Sequence, residues 1–209
     1  MSTITSPAVT AFGDPPLTLR LAPAIGLSHA QYDELCRQNP DLRLEQTATG
    51  EVVIWPHNGG ESGNRSAEIN MQLRQWAKRD GTGKAFDSNG EFRLPRGSAR
   101  CPDASWVTLD RWNALSPAER EAFPPLCPDF VLELRSRTDR LRDLQDKLVE
   151  YMANGARLGW IVDPFTRTVH VYRPAHAPEV LADPAVVDGE TVLPGFRLEL
   201  SEIFPRVEC

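Results

Sequence analysis

The six residues Asp129-Phe-Val-Leu-Glu-Leu134 constrain this chain more than any other stretch. They form an apolar run of strand length with a carboxylate, Glu133, inside it. A carboxylate in a buried run is costly unless it is paired or metal-bound. Whatever the fold, it must bring a partner to Glu133. A second apolar run, 104–109, opens directly after Pro102-Asp103, thirty residues before Glu133.

The rest of the chain reads as alternating short strands and helices. Pro-, Thr- and Ala-rich residues 1–27 are expected to be a flexible arm, and 28–209 a single domain. Ser28 suits a helix N-cap, and Pro40 ends that helix. Residues 41–45 and 51–55 flank Ala-Thr-Gly50 as a hairpin. A second helix spans about 63–79, with Ile69, Leu73, Trp76 and Ala77 on one face. Strands follow near 84–87, 91–94, 104–109 and 129–134. A short helix is expected after Ser116-Pro117. A third long helix runs from about 139 to 154, stopped by Gly155. Strands at 158–162 and 168–172 come next, then short segments and a last helical turn near Leu200. This order implies an α/β (α+β) fold with a mixed sheet and flanking helices.

No apolar run reaches the roughly 20 residues of a membrane span, and the start of the chain has no secretory pattern. Cys36, Cys101, Cys127 and Cys209 show neither CxxC nor zinc spacing, which points to reduced thiols and a cytoplasmic protein. A net charge of −6 argues against a nucleic-acid coat protein. It is compatible with a metal site, where carboxylates gather around a cation.

Cys-Pro-Asp occurs twice, at 101–103 and 127–129. Asp129 is four residues before Glu133 on one strand, ~13 Å away at ~3.3 Å per residue, too far to share one ion. Asp103 belongs to another strand and can lie ~5 Å from Glu133 if the two strands pair. The candidate metal pair is therefore Asp103 and Glu133. Glu68, beside Ile69 on the second helix, is the candidate third acid, with Glu45 in the first hairpin strand a weaker one. His57 is left out of the metal site.

Lys147 is the candidate for positioning a nucleophile. It falls 60° from Leu144 at 100° per residue, at the border of the stripe Leu141, Leu144, Leu148 and Met152. A lysine there can reach along the core toward the sheet edge. Tyr151 lies one turn on, on the same side. Arg135 alternates onto the face of Glu133 but cannot give up a proton near neutral pH, so it suits charge neutralisation instead. Arg135, Arg137 and Arg140 are candidate phosphate contacts.

The motifs Cys-Pro-Asp103-Ala-Ser-Trp-Val, Pro-Asp-Phe-Val-Leu-Glu133-Leu-Arg-Ser136, Leu144-Gln-Asp-Lys147-Leu-Val-Glu-Tyr151 and Asn154-Gly-Ala-Arg-Leu-Gly-Trp160-Ile-Val-Asp163-Pro occur in that order. The sequence resembles the Uma2-type restriction endonuclease-like family of the PD-(D/E)XK nuclease superfamily, over about residues 27–200. The resemblance implies a restriction-endonuclease-like core with its metal site at the sheet edge. It also implies Asp103 and Glu133 as ligands for Mg²⁺ or Mn²⁺, and Lys147 as the superfamily lysine moved from the strand to the next helix. Arg135 stands in the usual lysine place, and Ser136-Arg-Thr replaces the family's frequent Ser-Pro-Ser. The expected function is a Mg²⁺-dependent DNA endonuclease acting as a homodimer. The alternatives are an inactive nuclease-fold module that binds nucleic acid or protein, and a hydrolase of another phosphodiester.

Overall fold

The computed structural model describes residues 16–21, 27–57 and 59–204. Within the stretch expected as an arm, β1 (Leu17–Leu19) forms a strand; residues 1–15 and 22–26 lie outside the described residues. Helix α1 (His29–Gln38) starts at Ser28, whose hydroxyl accepts from the Gln31 amide while Gln31 caps back. Strands β2 (Arg43–Gln46) and β3 (Val52–Trp55) form the expected hairpin. Gly50 sits at the turn with φ +85°, where a side chain would be strained.

Helix α2 (Gly60–Asp80) buries Ile69, Leu73, Trp76 and Ala77, the stripe read from the sequence. Strands β4 (Gly83–Asp87), β5 (Phe92–Arg93), β6 (Ala99–Arg100) and β7 (Ala104–Thr108) follow. Helices α3 (Leu109–Ala114) and α4 (Pro117–Glu121) occupy the insert before β8 (Phe130–Leu134). Then come α5 (Leu141–Ala153), β9 (Leu158–Asp163), β10 (Thr168–Tyr172), β11 (Glu179–Ala182), β12 (Val186–Asp188) and β13 (Arg197–Glu199).

Three elements stand outside the sequence expectation: β1, β6 and α3. Helix α3 was not foreseen; its Trp112 packs 4.9 Å from Phe86, so tertiary contact rather than a side-chain cap holds it. The last helical turn expected near Leu200 is present, closed by Phe204 N donating to Leu200 O (2.8 Å).

The larger sheet runs β11-β10-β9-β8-β7-β4, and a second sheet runs β1-β3-β2-β6-β5. Only β8 and β9 pair in parallel in the larger sheet, with α5 crossing between them. The architecture is a mixed α/β one with flanking helices, as the sequence implied. Alternation along β8 divides two cores. Phe130, Leu132 and Leu134 join Trp160, Trp106, Trp76 and Phe196 on one face. Val131 joins Leu144, Leu148 and Tyr151 on the other.

Glu133 alternates with Leu132 and Leu134 and so points toward α5. Gly159 sets how near α5 comes: a Cβ there would fall 2.5 Å from Leu148 Cδ1. No helix is long and apolar enough to cross a membrane among the described residues.

Candidate functional site: a buried charge cluster

Lys147 of α5, Glu133 of β8 and Glu45 of β2 meet in one buried pocket. The Lys147 Nζ lies 2.9 Å from Glu133 Oε1 and 3.1 Å from Glu45 Oε1. All three side chains are at most 7 % exposed. Helical geometry carries Lys147 and Tyr151 to the same side, and the Tyr151 hydroxyl donates to Glu133 Oε1 at 3.0 Å. The Trp55 ring of β3 lies over the ammonium, 4.9 Å from its centroid.

Glu45 is the group that the sequence reading placed second. It is wholly buried. Its Oε1 also accepts from the Cys101 amide (3.0 Å), and its Oε2 from Arg100 Nη1 (3.1 Å). Arg100 in turn bonds Glu150 through Nε at 2.7 Å. The usable signal for Glu45 was a lone carboxylate between Leu44 and Gln46 in a strand whose inner positions are all buried.

Asp103 stands beside this group. The β7–β8 ladder pairs Ala104 with Leu132, and one step further the register sets Asp103 across from Glu133. The Asp103 Oδ2 accepts from the Leu134 amide (2.9 Å), and Arg43 Nη2 reaches Oδ1 at 3.3 Å. Asn70 of α2 donates to the Asp103 carbonyl (2.9 Å).

Glu68 does not join the cluster. Two positions from Asn70, it falls on the far side of α2 at 100° per residue. There it accepts from Gln72 (2.8 Å), which bonds both backbone groups of Glu199 on β13. The arginines expected at phosphate are not among the ion pairs of this cluster. Arg135 donates to Asp163 Oδ2 (2.7 Å) and to the Asp139 carbonyl (3.3 Å). Arg137 lies over the Phe165 ring at 5.0 Å, and Arg140 is an exposed residue at the N-cap of α5. His57 is exposed in the loop after β3. Cys36, Cys101 and Cys127 are free thiols; Cys209 lies outside the described residues.

Burial and neighbours pull the two central carboxyls apart. Burial alone would raise Glu45, but Lys147, Arg100 and the Cys101 amide outweigh it and hold it down to about 2. Burial pushes the Glu133 carboxyl up to about 7, against the pull of Lys147 and with help from Asp103. Burial would lower Lys147, yet Glu133 and Glu45 raise it, so it stays an ammonium. Burial first, then Glu133, raise the Tyr151 phenol, which keeps it a donor.

The carboxylates are hard oxygen donors of the kind Mg²⁺ or Mn²⁺ takes. Glu133 Oε1 receives both Lys147 and Tyr151, and Oε2 has no protein donor among the described residues. The donor chemistry therefore suits a divalent ion at Glu133 and Asp103. No cage of three or more His, Cys, Asp or Glu is ready-made among the described residues, because Lys147 and Arg43 sit between the acids.

Residues 29–201, most of the chain and all of this cluster, match the family Uma2, described as "Putative restriction endonuclease". The chain belongs to the Uma2 family. Among solved structures it is similar to one described as "a putative nuclease belonging to DUF820" from Anabaena variabilis. That likeness has a TM-score of 0.66 and 21 % identity over 77 % of this chain and 89 % of the other, and it shows the fold. No curated protein matches. Within this Uma2 chain, the lysine of the cluster comes from α5, and the arginine after Glu133 is engaged by Asp163.

Proposed function

We propose that this chain is a cytoplasmic, Mg²⁺- or Mn²⁺-dependent DNA endonuclease that acts as a homodimer. The observation that carries the reading is the convergence of Lys147 on Glu133 and Glu45, with Asp103 across from Glu133, in a Uma2 chain. Asp103 and Glu133 would hold the ion, and Glu45 is the nearest further carboxylate. A bound ion would supply Lewis-acid stabilisation of phosphate charge and acidify the attacking water.

The chain's own groups do the rest. Lys147 is held protonated by its two acids, so it orients the nucleophile and offsets charge rather than removing a proton. Tyr151 and Arg100 fix the rotamers of Glu133 and Glu45. A two-fold pair would present one such pocket to each DNA strand.

Plasmid DNA incubated with Mg²⁺ or Mn²⁺, with and without chelator, tests this. Cleavage that needs the ion and disappears in Asp103→Ala and Lys147→Ala is the expected result. Cleavage that survives in both variants overturns the site. The second reading, an inactive module of the same fold, is favoured by the cations already neutralising the carboxylates. Calorimetry with Mn²⁺ decides it: no heat that depends on Glu133 assigns the module.

A further inference from the structure

Two neighbouring donors at this pocket have no acceptor. Arg43 and Trp55 face each other directly across the β2–β3 ladder, so both side chains stand on the sheet face that carries Glu45. The Nε of Arg43 and the Nε1 of Trp55 are both buried, and neither has a hydrogen-bond partner. Other buried donors are unpaired too, the indole N–H groups of Trp106 and Trp160 among them, but those two lie in the apolar core. Arg43 and Trp55 stand side by side next to the charge cluster, where an acceptor from outside the chain can satisfy them.

The rest of Arg43 is committed only in part. Its Nη2 spans Asp103 Oδ1 and the Cys101 carbonyl, both at 3.3 Å. The Nη1 has no acceptor among the described residues, and the side chain is 28 % exposed. Trp55 is half-buried, with Lys147 against its ring. By contrast, Arg100 is sealed between Glu45 and Glu150, and Arg135 is held by Asp163.

We infer that Arg43 and Trp55 form a nucleotide subsite: Arg43 grips an oxygen of the phosphodiester beside Asp103, and Trp55 stacks the adjoining base. A planar fork with open donors suits a phosphate oxygen, and an indole accepts the face of any base. A stacked base must leave its duplex neighbours, so single-stranded or frayed DNA is the preferred substrate. This rests on the nuclease reading of the same pocket.

The test is fluorescence anisotropy with the full chain, Ca²⁺ in place of Mg²⁺, and fluorescein-labelled single-stranded and duplex oligonucleotides over a range of NaCl. Arg43→Gln should weaken binding of both by about tenfold and flatten the salt slope by about one phosphate contact. Trp55→Ala should weaken the single strand by about tenfold and the duplex less. Arg43→Lys, which keeps a cation for Asp103 but loses the fork, should fall between Arg43→Gln and wild type. It also serves if Arg43→Gln does not fold. Unchanged affinity and slope in Arg43→Lys and Trp55→Ala overturn the subsite even if the wild type cleaves plasmid. A wild type that binds with these sensitivities yet never cleaves overturns the nuclease reading and supports the subsite.

Discussion

The tripeptide Cys-Pro-Asp occurs twice and serves two unlike ends. Asp103 follows Cys101-Pro102 at the start of β7, and its carboxylate meets the Leu134 amide and Arg43 beside Glu133. Asp129 follows Cys127-Pro128 just before β8. Its Oδ2 accepts from the Thr108 amide (3.0 Å), Arg111 lies 3.0 Å from its Oδ1, and its carbonyl receives the Arg157 and Leu158 amides. One aspartate faces the charge cluster at the end of a ladder; the other ties three chain segments together. Identical local sequence gives the same turn chemistry, and the paired strand decides whether the acid faces chemistry or packing.

Removing each acid separates the two roles. Asp103→Ala should cut cleavage by at least about a hundredfold, roughly 2.7 kcal/mol of barrier, while the melting temperature moves by a few degrees. Plasmid nicking and a thermal melt on one preparation check both. Asp129→Ala should do the reverse. It frees a buried amide and an arginine, costs about 2 kcal/mol of stability, and leaves cleavage per folded molecule unchanged. Equal losses of activity in both variants would erase the distinction.

The third prediction sharpens the contrast through pH. Glu45 titrates lower in the folded state than when unfolded, so its ionisation stabilises the fold above the ordinary carboxylate range. That contribution is lost as pH falls from about 4.5 toward about 2. In Glu45→Gln the acid-side decline should be shallower, although the variant is less stable at neutral pH because Lys147 and Arg100 lose a partner. Urea melts at intervals between pH 7 and 3 measure it, and an unchanged slope would contradict the assignment. The smallest effect belongs to Glu68→Gln. Lying with Gln72 against β13, it should shift stability by under about 0.5 kcal/mol and leave metal-dependent cleavage within twofold.

Most of the fold was legible because periodicity and caps agree locally with it. The α2 stripe, the Ser28 cap, the hairpin at Gly50 and the runs 104–109 and 129–134 each carry their signal within a few residues. Strand spacing excluded Asp129 and allowed Asp103 beside Glu133 only if their strands are neighbours, and the β7–β8 ladder makes them so. Glu45, Arg43 and Arg100 were less visible because their partners lie 50 to 102 positions away, and no local pattern records that they meet. Glu68 was given a place on helix-flank position alone. A border residue can lean to either side of its stripe, and here it leans toward β13.

The location of Glu45 ties the chemistry to the order of assembly. Glu133 and Lys147 share one β8-α5-β9 unit, so they can meet once that short stretch has formed. Glu45 lies 102 residues before Lys147 and arrives only when the second sheet docks. Long loop closures are slow to form, so the pocket is expected to be completed after the β8-α5-β9 unit, which pulsed hydrogen exchange during refolding would check. A chain whose second sheet has not docked lacks the wall that carries Arg43, Glu45 and Trp55, so the charge cluster exists only once the two sheets meet.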